Sequence, residues 1–140
     1  MVPINELQQR ILAVLEEVGH VNVAAVINTV LKPIGATTEV DVIQVALENL
    51  VRANLVRLAT DRNPDKSLRL LASDASLEVV QCIRTDLIYD DNGGYWRWRH
   101  LGLPLNIDMV NIPEICATDA GQSEAVKILT DRGGQWWPAR

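Results

Sequence analysis

Residues 37–72, TTEVDVIQVALENLVRANLVRLATDRNPDKSLRLLA, decide the fold because the hydrophobic period changes within them. From Val40, apolar side chains recur at Ile43, Leu47, Leu50 and Val51, a spacing that gathers them on one face of a helix. Thr37 or Thr38 is placed to cap that helix, since a hydroxyl there can accept from one of the free amides of its first turn. Past Asn54 the period drops to two: Val56 and Leu58 alternate with Arg57 and Ala59. The turn-forming run Asp61-Arg62-Asn63-Pro64-Asp65 then leads to a second apolar segment at 68–71, which predicts a two-stranded hairpin.

Upstream, Ile4, Leu7, Ile11, Val14, Leu15 and Val18 form an apolar stripe, with Asn5 as its cap and Gly19 as its stop. A second helix is expected from Asn22 to just before Pro33; Val23, Val26, Ile27, Val30 and Leu31 make it apolar over a wide arc, so it should be well buried. Pro33-Ile34-Gly35 breaks the chain before the third helix.

Three helices followed by a hairpin resemble the winged helix-turn-helix superfamily. The specific likeness is Ala46-Leu47, a second leucine at Leu50, and then Asn54-Leu55-Val56 opening the wing. Many members carry Gly-Leu-Val at that last point. Asn54 takes the glycine's place, and asparagine also accepts a left-handed backbone. The resemblance covers roughly the first 72 residues and identifies no particular family. It implies that the third helix reads DNA and that the hairpin lies on the phosphate backbone.

With Ile43, Leu47 and Leu50 turned inward, helical geometry turns Asp41, Val42, Val45, Glu48, Asn49 and Arg52 outward. Bases and phosphates are contacted mainly by basic and amide or hydroxyl side chains, which leaves Asn49 and Arg52 as base-side candidates beside two acids and two valines. The hairpin carries the densest basic group, Arg57, Arg62, Lys66 and Arg69, diluted by Asp61 and Asp65. On DNA, Arg62 and Lys66 would meet phosphates.

Residues 75–140 hold all the aromatics: Tyr89, Tyr95, Trp96, Trp98, Trp136 and Trp137. Leu77, Val80, Ile83 and Leu87 predict a fourth helix from near Ser76 to between Asp90 and Gly94, with Cys82 close to its apolar side. The same stretch also reads as a hairpin, because 87–89 and 95–99 flank the turn sequence Asp90-Asp91-Asn92-Gly93-Gly94. On such a strand Trp96 and Trp98 share a face, suited to a core or a subunit interface. Residues 100–117 are apolar and punctuated by Pro104 and Pro113, with Leu105, Ile107 and Met109 alternating, which predicts extended chain or an edge strand. Thr118 caps a last helix containing Ala120, Ala125, Ile128 and Leu129, closed by Arg132 and Gly133. Trp136 and Trp137 carry too much apolar surface to be left in water, so they are expected to dock on their own subunit or on a partner.

The fold class expected is mainly α with a small β-hairpin: a winged-helix-like module over 1–74 and a helical and extended section over 75–140 packed on it. No Pro/Gly/Ser-rich linker separates the two, so they should form one folded unit.

At 140 residues and 48% hydrophobic, the chain has enough material for a core. Its 13 basic and 18 acidic residues give a formal charge of -5, which disfavours non-specific attraction to polyanions or anionic lipid. It has neither a cationic start with an apolar signal core nor an apolar run long enough to span a bilayer, so a cytoplasmic protein without a membrane partner is expected. Cys82 and Cys116 lack redox or zinc spacing and read as reduced, mostly buried thiols.

His20 and His100 pair with nothing at ligand spacing. The Asp90-Asp91-Asn92-Gly93 run lacks the alternating oxygens of a calcium loop, with Leu101 where a bidentate glutamate would be needed, and reads as a turn. With no nucleophile elbow or phosphate loop, the expectation is a non-enzymatic binding module without a cofactor. Protein docking leads, to a partner or to a second copy, with Val42, Val45, Trp96, Trp98, Trp136 and Trp137 as candidates. The alternative is a DNA-binding transcriptional regulator using Asn49, Arg52 and the basic wing.

Overall fold

Asn5 opens the first helix, α1 (Glu6–Val18), through a reciprocal pair: its Oδ1 accepts from the Gln8 amide at 2.9 Å while Gln8 Oε1 accepts from the Asn5 amide at 3.0 Å. The computed structural model describes residues 5–99 and 113–137, so Ile4 of the expected stripe lies outside the described residues. Ile11, Leu12, Val14 and Leu15 are buried, whereas Val18 is exposed at the last position before Gly19 ends the helix with φ +81°.

A three-residue strand, β1 (His20–Asn22), comes next, where the sequence suggested only a connection. Asn22 then caps α2 (Val23–Val30), accepting from the Ala25 amide at 2.9 Å; Val23, Val26, Ile27 and Val30 are buried as expected, while the helix stops short of Pro33 with Leu31 half-buried at its C-cap.

The third helix, α3 (Thr37–Arg52), buries Val40, Ile43, Ala46, Leu47, Leu50 and Val51. Its start differs from expectation. Thr37 and Thr38 lie inside the helix and Ala36 holds the cap position without a side-chain bond. Glu39 in the first turn serves the preceding loop, its carboxylate accepting from Ile34 N–H at 3.0 Å and Gly35 N–H at 2.9 Å. At the other end Asn54 adopts φ +62°, the left-handed backbone expected of it. The Leu55 amide bonds Leu50 O and the Asn54 amide bonds Val51 O, the paired closure of a Schellman motif.

The hairpin follows as β2 (Val56–Arg62) and β3 (Leu68–Leu70). Next come α4 (Ser73–Gln81) and the single turn α5 (Ile83–Asp86), in place of one continuous helix from Ser76. The chain breaks at Cys82, which is exposed, contrary to its expected burial. Ser76 is fully buried inside α4: its Oγ accepts from Leu58 N–H at 3.0 Å and donates to Leu71 O at 3.2 Å, latching α4 to β2.

Of the two readings open for 87–99, the hairpin is the one found. β4 (Leu87–Asp90) pairs antiparallel with β5 (Tyr95–Trp98), and Asp90 Oδ1 accepts from the Asn92 and Gly93 amides in the turn. The outer edge of β5 is met by a side chain imitating a strand. Asn28 donates to Trp96 O at 2.9 Å and accepts from Trp96 N–H at 2.8 Å.

The expected edge strand is corrected. Leu105, Ile107 and Met109 lie outside the described residues, but β6 (Glu114–Ala117) is an interior strand in a four-stranded antiparallel sheet ordered β1-β6-β2-β3. Pro113 sits just before the strand and costs no ladder bond within it, while Ile115 is fully buried.

Thr118 caps α6 (Asp119–Asp131) as expected, accepting from the Gly121 amide at 3.0 Å. The same residue bonds the α3–β2 corner, its Oγ1 donating to Asn54 O at 2.7 Å and its amide to Leu55 O at 3.0 Å. The approach is so close that a Cβ on Gly121 would stand 1.9 Å from Leu55 O. Helix α6 packs along α1, so one core includes α1, α2, α3, the sheet, the Trp96 and Trp98 pair, and Trp137. The result is mixed α and β, with six helices among the described residues.

Candidate functional site

The outward side of α3 presents Val42 and Val45, 46% and 56% exposed. Their neighbours are held by other side chains. Asp41 pairs with Arg84 of α5 at 3.1 Å, and Glu48 pairs with Arg52 at 3.6 Å and accepts from Gln44 at 3.3 Å. Helices α4 and α5 flank this side, so a shallow groove of about 440 Å³ opens beside Val45, bounded by Asp41, Gln44, Gln81, Arg84 and Thr85. Asn49 is exposed.

The basic side chains of the β2–β3 hairpin do not form an open cationic surface. The Arg57 guanidinium turns back on the end of α3, donating to Val51 O at 3.4 Å, to Val56 O at 2.9 Å and to the Asn54 side chain. Arg62 pairs with Glu114 at 3.0 Å and donates to Lys66 O at 2.8 Å; Arg69 pairs with Asp61 at 3.5 Å. Lys66 has no ion pair among the described residues and sits at φ +71° in the turn. Exposed ion pairs contribute little stability, but each of these places an acid where an approaching phosphate would sit.

Of the tryptophans offered either to the core or to docking, three take the core and so drop out as docking surface. Trp96, Trp98 and Trp137 are interior. Trp96 and Trp98 share the inward face of β5, and Trp137 lies 5% exposed, with the Arg132 guanidinium 4.2 Å and that of Arg10 5.6 Å from its ring centroid. Only Trp136, 40% exposed and edge-on to Trp137 at 5.2 Å, keeps accessible indole surface.

Two clusters had no signal in the sequence. Glu114 accepts from Arg62 and lies 3.0 Å from His20 Nδ1, tying β1, β6 and β2 together through side chains far apart in the chain. Beside it, burial pushes the Cys116 thiol up to about 11, with the Glu114 charge adding to the rise and Arg62 opposing it. The second cluster joins Glu39, Trp96 and Asn28. Among the described residues, no group of three or more His, Cys, Asp or Glu side chains is arranged to hold a metal ion, and no helix is long and apolar enough to cross a membrane.

Compared with known proteins, the chain matches no family model, no curated protein and no solved structure.

Proposed function

We propose that this chain is a non-enzymatic, winged-helix-like binding module that acts through protein contacts, with the outward side of α3 as its docking surface. The order α1, α2, α3 and then β2–β3 supports the winged-helix-like reading. The observation that carries the docking reading is a contrast on that side of the molecule. Arg52, Arg62 and Arg69 are each matched by a carboxylate and Arg57 is spent on backbone carbonyls, while Val42 and Val45 stand open to solvent beside the α3–α5 groove. A protein partner or a second copy can bury two valines and a groove; a phosphate backbone would instead have to displace the acids.

The test is site-specific photo-crosslinking inside cells of the source organism. A benzophenone side chain at position 45 should trap a protein adduct, and the same group at the exposed Ser123 of α6, the helix that packs along α1, should not. Adducts equally abundant at both positions would remove the assignment of the surface.

A further inference from the structure

A second groove, of about 490 Å³, is bordered by Glu17, Thr29, Leu129, Gly134 and Trp136. Three helices end at it: Glu17 is in the last turn of α1, Thr29 in the last turn of α2 and Leu129 in the last turn of α6. Helix C-termini are negative and are ordinarily balanced by lysine, arginine or histidine. None of these three last turns contains a basic residue of its own; Arg10 reaches the α2 end from α1, Arg132 is the C-cap of α6, and the α1 end has no such cation among the described residues. Glu17 adds a full negative charge, and its carboxylate has no partner among the described residues.

Two of the cations beside these helix ends are committed to the inner side, while Lys32, two residues past the end of α2, is exposed and does not border the groove. Arg10 is buried, donates to Val30 O at 3.5 Å at the end of α2 and lies over Trp137. Arg132 stacks on the same ring and donates to Gln135 O at 3.1 Å. His20 lies against Glu114, and Lys127 of α6 is exposed and does not border the groove. One indole of the tail therefore has two guanidinium groups, and the other, Trp136, has none among the described residues.

We propose that this groove binds the side chain of an arginine or lysine presented by a basic segment of a partner protein. The cationic head would lie on Trp136 beside Glu17, and its methylene stem would run along Leu129 and Gly134. The fit is one of charge and shape together: Glu17 is the one charged residue among the described residues bordering a partly apolar cleft, on a chain of net charge -5 that favours cations over nucleic acid. The site stands apart from the α3 surface, so either assignment can fail without the other.

The full chain can be titrated with an acetylated Arg-Leu-Arg-Leu-Arg peptide and with the same peptide carrying neutral citrulline in place of arginine. The readout is the NMR signal of the Trp136 indole N–H, identified through Trp136→Phe. The arginine peptide should shift that signal saturably and the citrulline peptide should not. Glu17→Gln and Trp136→Leu should each weaken binding about tenfold. Glu78→Gln, an equal charge change on α4, should leave it within about twofold. Glu17→Gln keeps an exposed helical residue, so its result does not depend on the fold surviving a tryptophan change. Equal binding of the two peptides, an unmoved Trp136 signal, or equal weakening by Glu17→Gln and Glu78→Gln would each overturn the proposal.

Discussion

The indole N–H of Trp96 donates to Glu39 Oε1 at 3.1 Å, joining the β4–β5 hairpin to the first turn of α3. The same carboxylate holds the Ile34 and Gly35 amides, so one side chain fixes the helix start, the preceding loop and the hairpin. Tyr89 completes the contact, edge-on to Trp96 at 5.5 Å and lying so close to Gly35 that a Cβ there would come within 2.6 Å of its ring.

Removing this carboxylate should therefore cost more than an ordinary surface substitution. Glu39→Ala is expected to destabilise the protein by about 2 kcal/mol, because charge-assisted bonds are lost and the Trp96 N–H loses its acceptor. Glu39→Gln, which keeps one acceptor oxygen, should lose less. Urea unfolding of the three proteins measures both, and an alanine variant as stable as the parent would dissolve the role given to Glu39.

At Gly121 the usual helix rule should reverse. Alanine in place of glycine normally stabilises a helix interior, yet here its methyl would press on Leu55 O. Gly121→Ala is expected to lose about 1–3 kcal/mol, the range of overpacked sites. A rise in melting temperature would mean that α6 can move off the α3–β2 corner without loss.

The two thiols should separate by reactivity. In the native protein at pH 8 a thiol reagent should modify the exposed Cys82 and spare Cys116 until unfolding. The raised Cys116 pKa also has a consequence for stability. Its native value is about 11 against an ordinary 9.0, so above pH 9 the unfolded chain holds fewer protons at this site than the folded one. Stability from this group is complete below about pH 9 and is lost as pH rises toward 11. Cys116→Ala should flatten the decline in melting temperature over that window, and an unchanged slope would assign the decline to other groups.

The adjacent tail tryptophans should differ sharply. Trp137→Ala empties a buried site packed on Arg10 and Arg132 and is expected to cost about 3 kcal/mol. Trp136→Ala should cost under about 1 kcal/mol. Calorimetric melting of the pair checks this, and equal losses would mean that Trp136 is a structural anchor too.

What was legible in the sequence follows the range of the interaction concerned. Asn5, Gly19, Asn22, Asn54 and Thr118 each take the local role their type suggests at a helix end, and the long-range bonds that Thr118 also makes to Asn54 and Leu55 carried no such signal. The inward face of α3 was equally readable, because helical spacing carries it. Long-range pairing was not. β1 is too short for a periodic signal, and only its partnership with β6 makes it a strand. Pro113 suggested an edge, whereas the hydrogen bonding that makes β6 interior comes from strands more than 50 residues away. Thr37 and Thr38 have the residue type of caps, but the cap position falls just before them at Ala36, and the carboxylate of the helix's first turn, Glu39, is turned to the 33–35 loop and Trp96. The candidate surfaces divide the same way. The exposure of Val42 and Val45 follows from helical phase, but the ion pairs that neutralise the wing and the meeting of three helix ends at Trp136 exist only in the folded chain.

Binding to mixed-sequence duplex DNA across a salt series tests the central claim most directly. If the outward side of α3 docks protein, binding should stay weak at physiological salt and should change little in an Arg62→Ala, Lys66→Ala double variant. Tight binding that falls steeply with salt and is abolished by that double variant would contradict the account and assign the wing to phosphates.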